Sequence, residues 1–236
     1  MPNKLKALLF DVFGTVVDWR SSIDREMTAY FTGRQIERDW GAFADAWRRR
    51  YQPAMEEVRS GNRPFIKLDE LHRENLIDTL GEFGLKDLSD EAIDHLNRAW
   101  HRLDPWPDTV EGLQRLKQHY ILGSLSNGNV ALIVNMAKNA GLPWDVILGA
   151  EVARAYKPQP EAYLRAAELL SLDPDACMMV AAHNSDLLAA RGCGLKTAFV
   201  LRPMEHGAGQ NSDLAPLENF DLIARNFTDL ADQLGC

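Results

Sequence analysis

Asp11 is the first residue in the sequence whose position suggests chemistry. Its carboxylate directly follows the apolar segment LKALLF (5–10) and precedes the turn residues Gly14 and Thr15. A carboxylate in this position can attack an electrophilic centre and form an ester that water later opens, although it can also cap the turn. We favour the nucleophile, with Thr15 either holding the turn or hydrogen-bonding the carboxylate. Enzymes that transfer phosphoryl groups with such an element commonly need a second acid two residues later, where this chain has Phe13.

Further polar side chains follow later apolar segments. Ser126 and Asn127 end one of them and stand just before a helix, whose first backbone N–H groups can cradle a carboxylate, although a plain turn and helix cap explain them as well. Lys157 precedes a proline that keeps it out of the following helix. His183 and Asp186 follow the segment ACMMVAA and offer a ring and a carboxylate.

Strands and helices alternate in the second half of the chain. The strand-like segments are YILGSL (120–125), DVILG (145–149), ACMMVAA (176–182), LKTAFVL (195–201) and NFDLIA (219–224). Helical patterns lie between them at 109–119, 129–141, 160–171 and 184–192, and a last helix ends the chain. Asp108 with Glu111 resembles a capping box for the first of these helices, and Gly141 closes the second. This alternation predicts parallel strands with crossover helices on both faces.

The segment from Ser21 to Trp100 is helical in pattern and interrupts the alternation after the first strand. Apolar residues recur there at three- and four-residue steps, which predicts one long helix with an apolar stripe: Trp40, Phe43, Trp47, Tyr51, Met55 and Val58. We therefore predict an α/β fold with an open parallel, Rossmann-like sheet core (1–18 and 103–236) and an inserted helical cap domain (19–102).

This topology predicts where the polar side chains meet. In open parallel sheets, ligands bind beyond the carboxyl ends of the strands. Asp11, the Ser126–Asn127 pair, Lys157 and the turn 183–186 should therefore surround one crevice.

Composition and charge exclude several classes of protein. The 236 residues are 46% hydrophobic and carry a net charge of −8, which disfavours nucleic-acid binding. Three scattered cysteines without a CxxC pair argue against disulfides and zinc and favour a reducing cytosol. The N-terminus shows neither a signal peptide nor an apolar stretch that could span a membrane. We predict a cytoplasmic protein without membrane or nucleic-acid partners.

Four motifs together resemble the haloacid dehalogenase superfamily, and within it the type II L-2-haloacid dehalogenases. They are DVFGTVVD (11–18), LSNG (125–128), YKPQPEAY (156–163) and AAHNSD (181–186). The resemblance covers essentially the whole chain, with the helical block where the family has its cap. It implies hydrolysis of short 2-haloalkanoic acids, haloacetates included, to 2-hydroxy acids through an ester on Asp11. Phe13 agrees with this reaction, because a halide ion leaves without a proton.

The resemblance also implies roles for the core residues. Lys157 would orient Asp11 and favour its charged form, with Tyr163 either close to this lysine or packed in the core. Ser126 and Asn127 would bind the substrate carboxylate, and Asn127 would also help to hold the halide.

In the cap, the WRRRY spacing places Arg48 where the family has the arginine that receives the halide. Arg49 and Arg50 are assigned to the surface. Trp19 would form an apolar wall of the substrate pocket. The other histidines, His206 included, are assigned structural or surface roles.

The last motif departs from the best-studied relatives. His183 replaces an asparagine, Ala181 a serine and Ser185 a tryptophan. His183 can hydrogen-bond the hydrolytic water or the halide, narrow the pocket, or be purely structural. Asp186 is the better candidate for orienting water or pairing with Lys157. The altered pocket makes fluoroacetate a substrate worth testing.

Two alternatives stay open. A Mg²⁺-dependent phosphatase of the same superfamily is disfavoured by Phe13 and by the single acid, Asp186, in the last motif, because Mg²⁺ requires hard oxygen ligands. We therefore predict no metal and no cofactor. A non-catalytic binding module on the same fold is the second alternative. Relatives are commonly dimers, so a homodimer is a further expectation.

Overall fold

Six parallel strands form the central sheet of the protein. The computed structural model describes residues 5–236. The strands are β1 (Ala7–Phe10), β2 (Ile121–Ser126), β3 (Val146–Gly149), β4 (Cys177–Ala181), β5 (Lys196–Val200) and β6 (Leu222–Ala224). They lie in the order β3-β2-β1-β4-β5-β6, and each neighbouring pair is parallel. The prediction of an open parallel α/β sheet is confirmed.

Five helices follow the first strand. They are α1 (Trp19–Thr32), α2 (Trp40–Arg49), α3 (Tyr51–Arg59), α4 (Leu68–Glu82) and α5 (Asp90–Asn97). A short 3₁₀ helix, Arg98–Arg102, follows them. Two-residue strands, Val17–Asp18 and Asp104–Pro105, pair antiparallel where the chain leaves and re-enters the sheet region. We propose that residues 19–102 form a cap domain on a core built from 1–18 and 103–236, of which residues 1–4 lie outside the described part.

The remaining helices connect the strands of the sheet. They are α6 (Thr109–Leu116), α7 (Val130–Ala140), α8 (Ala150–Ala153), α9 (Pro160–Leu169), α10 (Asn184–Gly192) and α11 (Phe227–Leu234), with a 3₁₀ turn at Pro174–Ala176. The predicted end of α7 is correct, since Gly141 adopts a left-handed conformation there. Within residues 5–236, no helix is both long and apolar enough to cross a membrane.

The prediction of one long helix through 40–58 is wrong, because the chain breaks it at Arg50. α2 ends at Arg49 and α3 begins at Tyr51. Pro53 explains the break, because it has no N–H to donate to the carbonyl of Arg49 and is tolerated only in the first turn of a helix. The apolar stripe nevertheless faces inwards along both helices, since Tyr51 and Met55 are buried.

The predicted capping box at Asp108 is also wrong. The Asp108 side chain makes no capping hydrogen bond to α6. It accepts two hydrogen bonds from the Arg202 guanidinium, at 2.6 and 2.9 Å, and one from the backbone N–H of Phe227 at 2.7 Å. Charge-assisted, bidentate hydrogen bonds from a guanidinium are stronger than a single bond from a neutral backbone N–H. The Asp108 side chain therefore links segments that are distant in sequence instead of capping α6.

Candidate active site

A cavity of about 1040 Å³ lies between the carboxyl ends of the strands and the helices α2 and α3. Eight of the ten predicted site residues line it: Asp11, Trp19, Arg48, Asn127, Lys157, Tyr163, His183 and Asp186. The other two do not line it. Thr15 lies behind Asp11 and donates its hydroxyl to the Asp11 carboxylate. Ser126 is fully buried at the end of β2, where its hydroxyl accepts a hydrogen bond from the Gly128 N–H at 3.0 Å.

The Asp11 carboxylate is held by three donors. Its Oδ1 accepts a hydrogen bond from Lys157 Nζ at 2.9 Å. Its Oδ2 accepts from the Thr15 hydroxyl at 2.7 Å and faces His183 Nδ1 at 3.1 Å. Burial alone would raise the pKa of Asp11, but Lys157 and His183 hold it well below its usual range. The carboxylate is therefore charged and fixed in orientation.

Lys157 bridges two carboxylates. Its Nζ lies 2.9 Å from Asp11 Oδ1 and 2.5 Å from Asp186 Oδ2. Burial would lower the pKa of this lysine, yet the two carboxylates raise it above its ordinary value. Burial raises the pKa of Asp186, and the charge of Asp11 adds to this, while Lys157 opposes both. Tyr163 donates its hydroxyl to Asp186 Oδ1 at 2.6 Å, so this tyrosine supports Asp186 rather than the lysine.

The backbone of Lys157 is anchored by two side chains that are distant in sequence. Its N–H donates to Asn127 Oδ1 at 2.8 Å. Its carbonyl accepts from Arg59 Nη1, on helix α3, at 3.0 Å. The amide of Asn127 is thereby oriented with its oxygen engaged, which leaves its NH₂ group for an anion.

Arg48 enters the cavity from helix α2 and contacts aromatic rings. Its guanidinium carbon lies 4.1 Å from the centre of the Tyr51 ring, 5.4 Å from Trp19 and 5.7 Å from Phe13. Aromatic faces stabilise the cation but accept few N–H hydrogen bonds. The buried Nη1 has no hydrogen-bond partner among residues 5–236. This free donor suits a small anion.

Glu205 is the site residue that sequence reasoning missed. Its side chain is almost fully buried, and its carboxylate accepts from Trp19 Nε1 at 3.0 Å and faces His183 Nε2 at 2.9 Å. Burial would raise the pKa of Glu205, but His183 and Arg48 lower it. One signal could have found it: the segment after β5 reaches the same edge of the sheet as Asp11. Trp19 is thus a hydrogen-bond donor as well as an apolar wall.

The segment that carries Glu205 is fixed by Arg202. Arg202 donates to the Thr15 carbonyl at 2.9 Å and forms the paired contact with Asp108. His206 is exposed, as its assignment to a structural or surface role predicts. It also lines the cavity, with Nε2 3.7 Å from Glu205 Oε1.

Position 14 requires a glycine, both because of its backbone conformation and because Glu205 leaves no room for a side chain. Its φ is +87°, and a Cβ at this position would lie 2.0 Å from Glu205 Oε1. We expect Gly14→Ala to lower the free energy of unfolding by about 2–5 kcal/mol, since a strained backbone and overpacking combine. Urea unfolding measures this change.

Gly61→Ala is the matched control for the Gly14 variant. Gly61 has a similar φ of +80°, but nothing lies within 4 Å of an added Cβ. We expect a smaller loss there, about 1–2 kcal/mol, from the left-handed backbone alone. Equal losses at the two positions would show that the contact with Glu205 contributes nothing.

Comparisons with known proteins agree in sequence and in structure. The family described as haloacid dehalogenase-like hydrolase matches residues 5–194. (S)-2-haloacid dehalogenase 4A of Burkholderia cepacia is 30% identical over 98% of this chain and 100% of its own. The solved structure of a defluorinating L-2-haloacid dehalogenase is 52% identical, with a TM-score of 0.96, over 100% of this chain and 98% of its own. Another L-2-haloacid dehalogenase structure is 48% identical, with a TM-score of 0.95, over 98% and 99%.

Proposed function

The chain belongs to the haloacid dehalogenase-like hydrolase family, and on this basis we propose that it hydrolyses the carbon–halogen bond of short 2-haloalkanoic acids. The products are 2-hydroxy acids and halide ions. Similarity to L-2-haloacid dehalogenases over nearly the whole chain supports this substrate class. Similarity to a defluorinating relative adds fluoroacetate to the substrates to be tested.

One observation carries the proposal: Asp11 is a charged nucleophile with an aromatic neighbour where phosphoryl transfer needs an acid. Phe13 is buried, with its ring edge-on to Trp100 at 5.7 Å. It can neither protonate a leaving alkoxide nor bind a metal ion. A halide ion leaves without a proton and without a metal ion. The reaction that fits is therefore displacement at carbon.

The first step is attack by Asp11 on C2 of the substrate. The amide NH₂ group of Asn127, which lines the cavity, holds the substrate carboxylate. The carboxylate oxygen forms a bond to C2 from the side opposite the halogen, and the halide leaves with the bonding electrons. Arg48 receives it, because its free N–H and its positive charge favour the developing anion over the neutral carbon–halogen bond. Inversion converts an L substrate into a D product.

The second step is hydrolysis of the Asp11 ester. Water attacks the ester carbonyl, positioned by Asp186 in its pairing with Lys157. The carboxylate of Asp186 takes the proton from water, and its contact with Tyr163 fixes the orientation of the acceptor. Lys157 stays charged throughout, so it balances Asp186 when Asp11 loses its charge in the ester.

The reaction needs no metal ion in this proposal. The ammonium of Lys157 already lies between the two carboxylates that a metal would use, Asp11 and Asp186. We expect halide release from L-2-chloropropionate and chloroacetate to be unchanged by a chelator, and fluoroacetate to react more slowly. Ion chromatography of chloride and fluoride, with D-2-chloropropionate as the stereochemical control, measures this. Chelator-sensitive release of phosphate from phosphate esters, without halide release, would instead support the phosphatase.

Location and assembly are further proposals. The three cysteines are unpaired in the structure, which agrees with a cytoplasmic protein. We propose a homodimer, as is common among relatives. Cell fractionation and analytical ultracentrifugation measure the two properties.

A further inference from the structure

The two oxygens of the Asp11 carboxylate accept different numbers of hydrogen bonds. Oδ2 accepts from Thr15 and from His183, at 2.7 and 3.1 Å. Oδ1 accepts from Lys157 alone among residues 5–236, at 2.9 Å. Each carboxylate oxygen offers about two lone pairs. Oδ2 is therefore saturated, whereas Oδ1 keeps a lone pair that can attack carbon.

Resting on the proposed function, we propose that Oδ1 is the attacking oxygen and that His183 and Thr15 form an oxyanion site around Oδ2. In the ester, Oδ2 is the carbonyl oxygen. Negative charge develops on it when water adds, and two donors are already in place at hydrogen-bond distance. Such preorganised donors stabilise a tetrahedral intermediate because they need no rearrangement during the reaction.

Atoms and protons balance along this route. Water adds its oxygen to the Asp11 carbonyl carbon, the carbonyl electron pair moves onto Oδ2, and one proton passes to Asp186. The intermediate then reforms the carbonyl and breaks the bond from that carbon to Oδ1. The departing alkoxide keeps Oδ1 and takes the proton from Asp186. The regenerated carboxylic acid releases its proton to solvent.

The surroundings of His183 exclude it as the base that activates water. Its Nδ1 faces Asp11 and its Nε2 faces Glu205 at 2.9 Å. Both carboxylates only accept hydrogen bonds, so both ring nitrogens must carry protons for the contacts to form. A doubly protonated ring has no lone pair for a proton of water.

The other charged groups nearby agree with an imidazolium. His206 and Trp19 contact the Glu205 carboxylate, Arg48 lies close enough to lower the pKa of Glu205, and Lys157 binds the opposite oxygen of Asp11. Burial lowers the pKa of the His183 ring, but Glu205 and Asp11 outweigh it and hold the pKa well above its ordinary value. Esterification removes the charge of Asp11, after which Glu205 alone keeps the ring protonated. Glu205 is therefore a positioning residue that acts through His183.

Rapid-quench single turnover with L-2-chloropropionate separates the two chemical steps. Chloride release and the mass of the Asp11 peptide report formation of the ester, and decay of the modified peptide reports hydrolysis. We expect His183→Ala to slow decay roughly 10²-fold, with ester formation changed only a few-fold. His183→Asn should recover part of the loss, because its amide N–H can still donate to Oδ2.

The pH dependence of ester decay distinguishes the two roles of His183. An oxyanion donor predicts that decay slows as pH rises through the titration of the ring, and that Glu205→Gln moves this alkaline limb to lower pH. Glu205→Gln keeps the shape of the side chain beside Gly14 and serves as the second variant if His183→Ala does not fold.

Two results would overturn the assignment: decay that accelerates as the ring loses its proton, or decay unchanged in both His183→Ala and Glu205→Gln. A wild-type protein that releases no chloride and forms no Asp11 adduct would instead refute the proposed function itself.

Discussion

Asp11→Asn is expected to lower halide release by roughly 10⁴-fold or more, as loss of an attacking residue does in other covalent enzymes. The neutral amide is a poor nucleophile, and it no longer attracts Lys157. The protein should remain folded, because Lys157 keeps its contact with Asp186 at 2.5 Å. Steady-state chloride release from L-2-chloropropionate measures the loss, with circular dichroism as the check on folding.

Asp87→Asn is the matched control, since Asp87 is exposed and lies in the loop between α4 and α5. It should leave kcat/KM unchanged. Equal rates of chloride release from the Asp11→Asn and Asp87→Asn variants would contradict the role of Asp11 as the nucleophile. A binding module without catalysis predicts that Asp11→Asn alters stability alone.

Lys157→Met should produce the largest change in stability. It leaves two buried carboxylates, Asp11 and Asp186, facing each other without a cation. Removal of one partner from a buried ion pair costs about 3–5 kcal/mol, and we expect a loss of this size at neutral pH together with loss of activity. Urea unfolding measures it, with the exposed Lys86→Met as the control.

The pH dependence of the Lys157 variant follows from the signs of the shifts. In the wild type, the lowered pKa of Asp11 stabilises the folded protein at pH values above the ordinary pKa of an aspartate. This contribution is lost as the pH falls below that value. Without Lys157, burial and mutual repulsion raise the pKa values of both carboxylates. The variant should therefore regain part of its lost stability as pH falls from neutral to mildly acidic. If the variant lost the same free energy of unfolding, relative to the wild type, at neutral and at mildly acidic pH, the loss would not originate in the charges of the two carboxylates.

The sequence predicted which polar residues line the cavity, and hence most of the proposed catalytic arrangement, because the topology places the strand ends together. Asp11 and Asp186 follow parallel strands, and a proline keeps Lys157 out of the helix that follows it. All three therefore lie at the carboxyl edge of the sheet, independently of the conformation of the loops. Arg48 was predicted only from its match to an arginine of the family that the sequence resembles. Its free N–H among aromatic rings could not be predicted, since it depends on how helix α2 packs against the residues at the strand ends.

The topology brings the segment after β5 to the site, but no sequence pattern singles out Glu205 within it. This residue lies in an irregular segment with no hydrophobic periodicity, and its position depends on the pairing of Arg202 with Asp108, which is far away in sequence. The role of His183 stayed open for the same reason, because its partner was unknown. The break between α2 and α3, by contrast, could have been predicted from Pro53. The apolar stripe runs through both helices without interruption and therefore favoured one long helix.

The ester on Asp11 is the central claim, and isotope transfer tests it directly. Enzyme in excess over L-2-chloropropionate is allowed one turnover in H₂¹⁸O, and both the product and the Asp11 peptide are weighed by mass spectrometry. We predict that the peptide gains one ¹⁸O atom and the 2-hydroxy acid gains none, because water attacks the carbonyl carbon of the ester. Label in the product of the first turnover, with an unlabelled Asp11, would show that water attacks the substrate carbon and would contradict the mechanism.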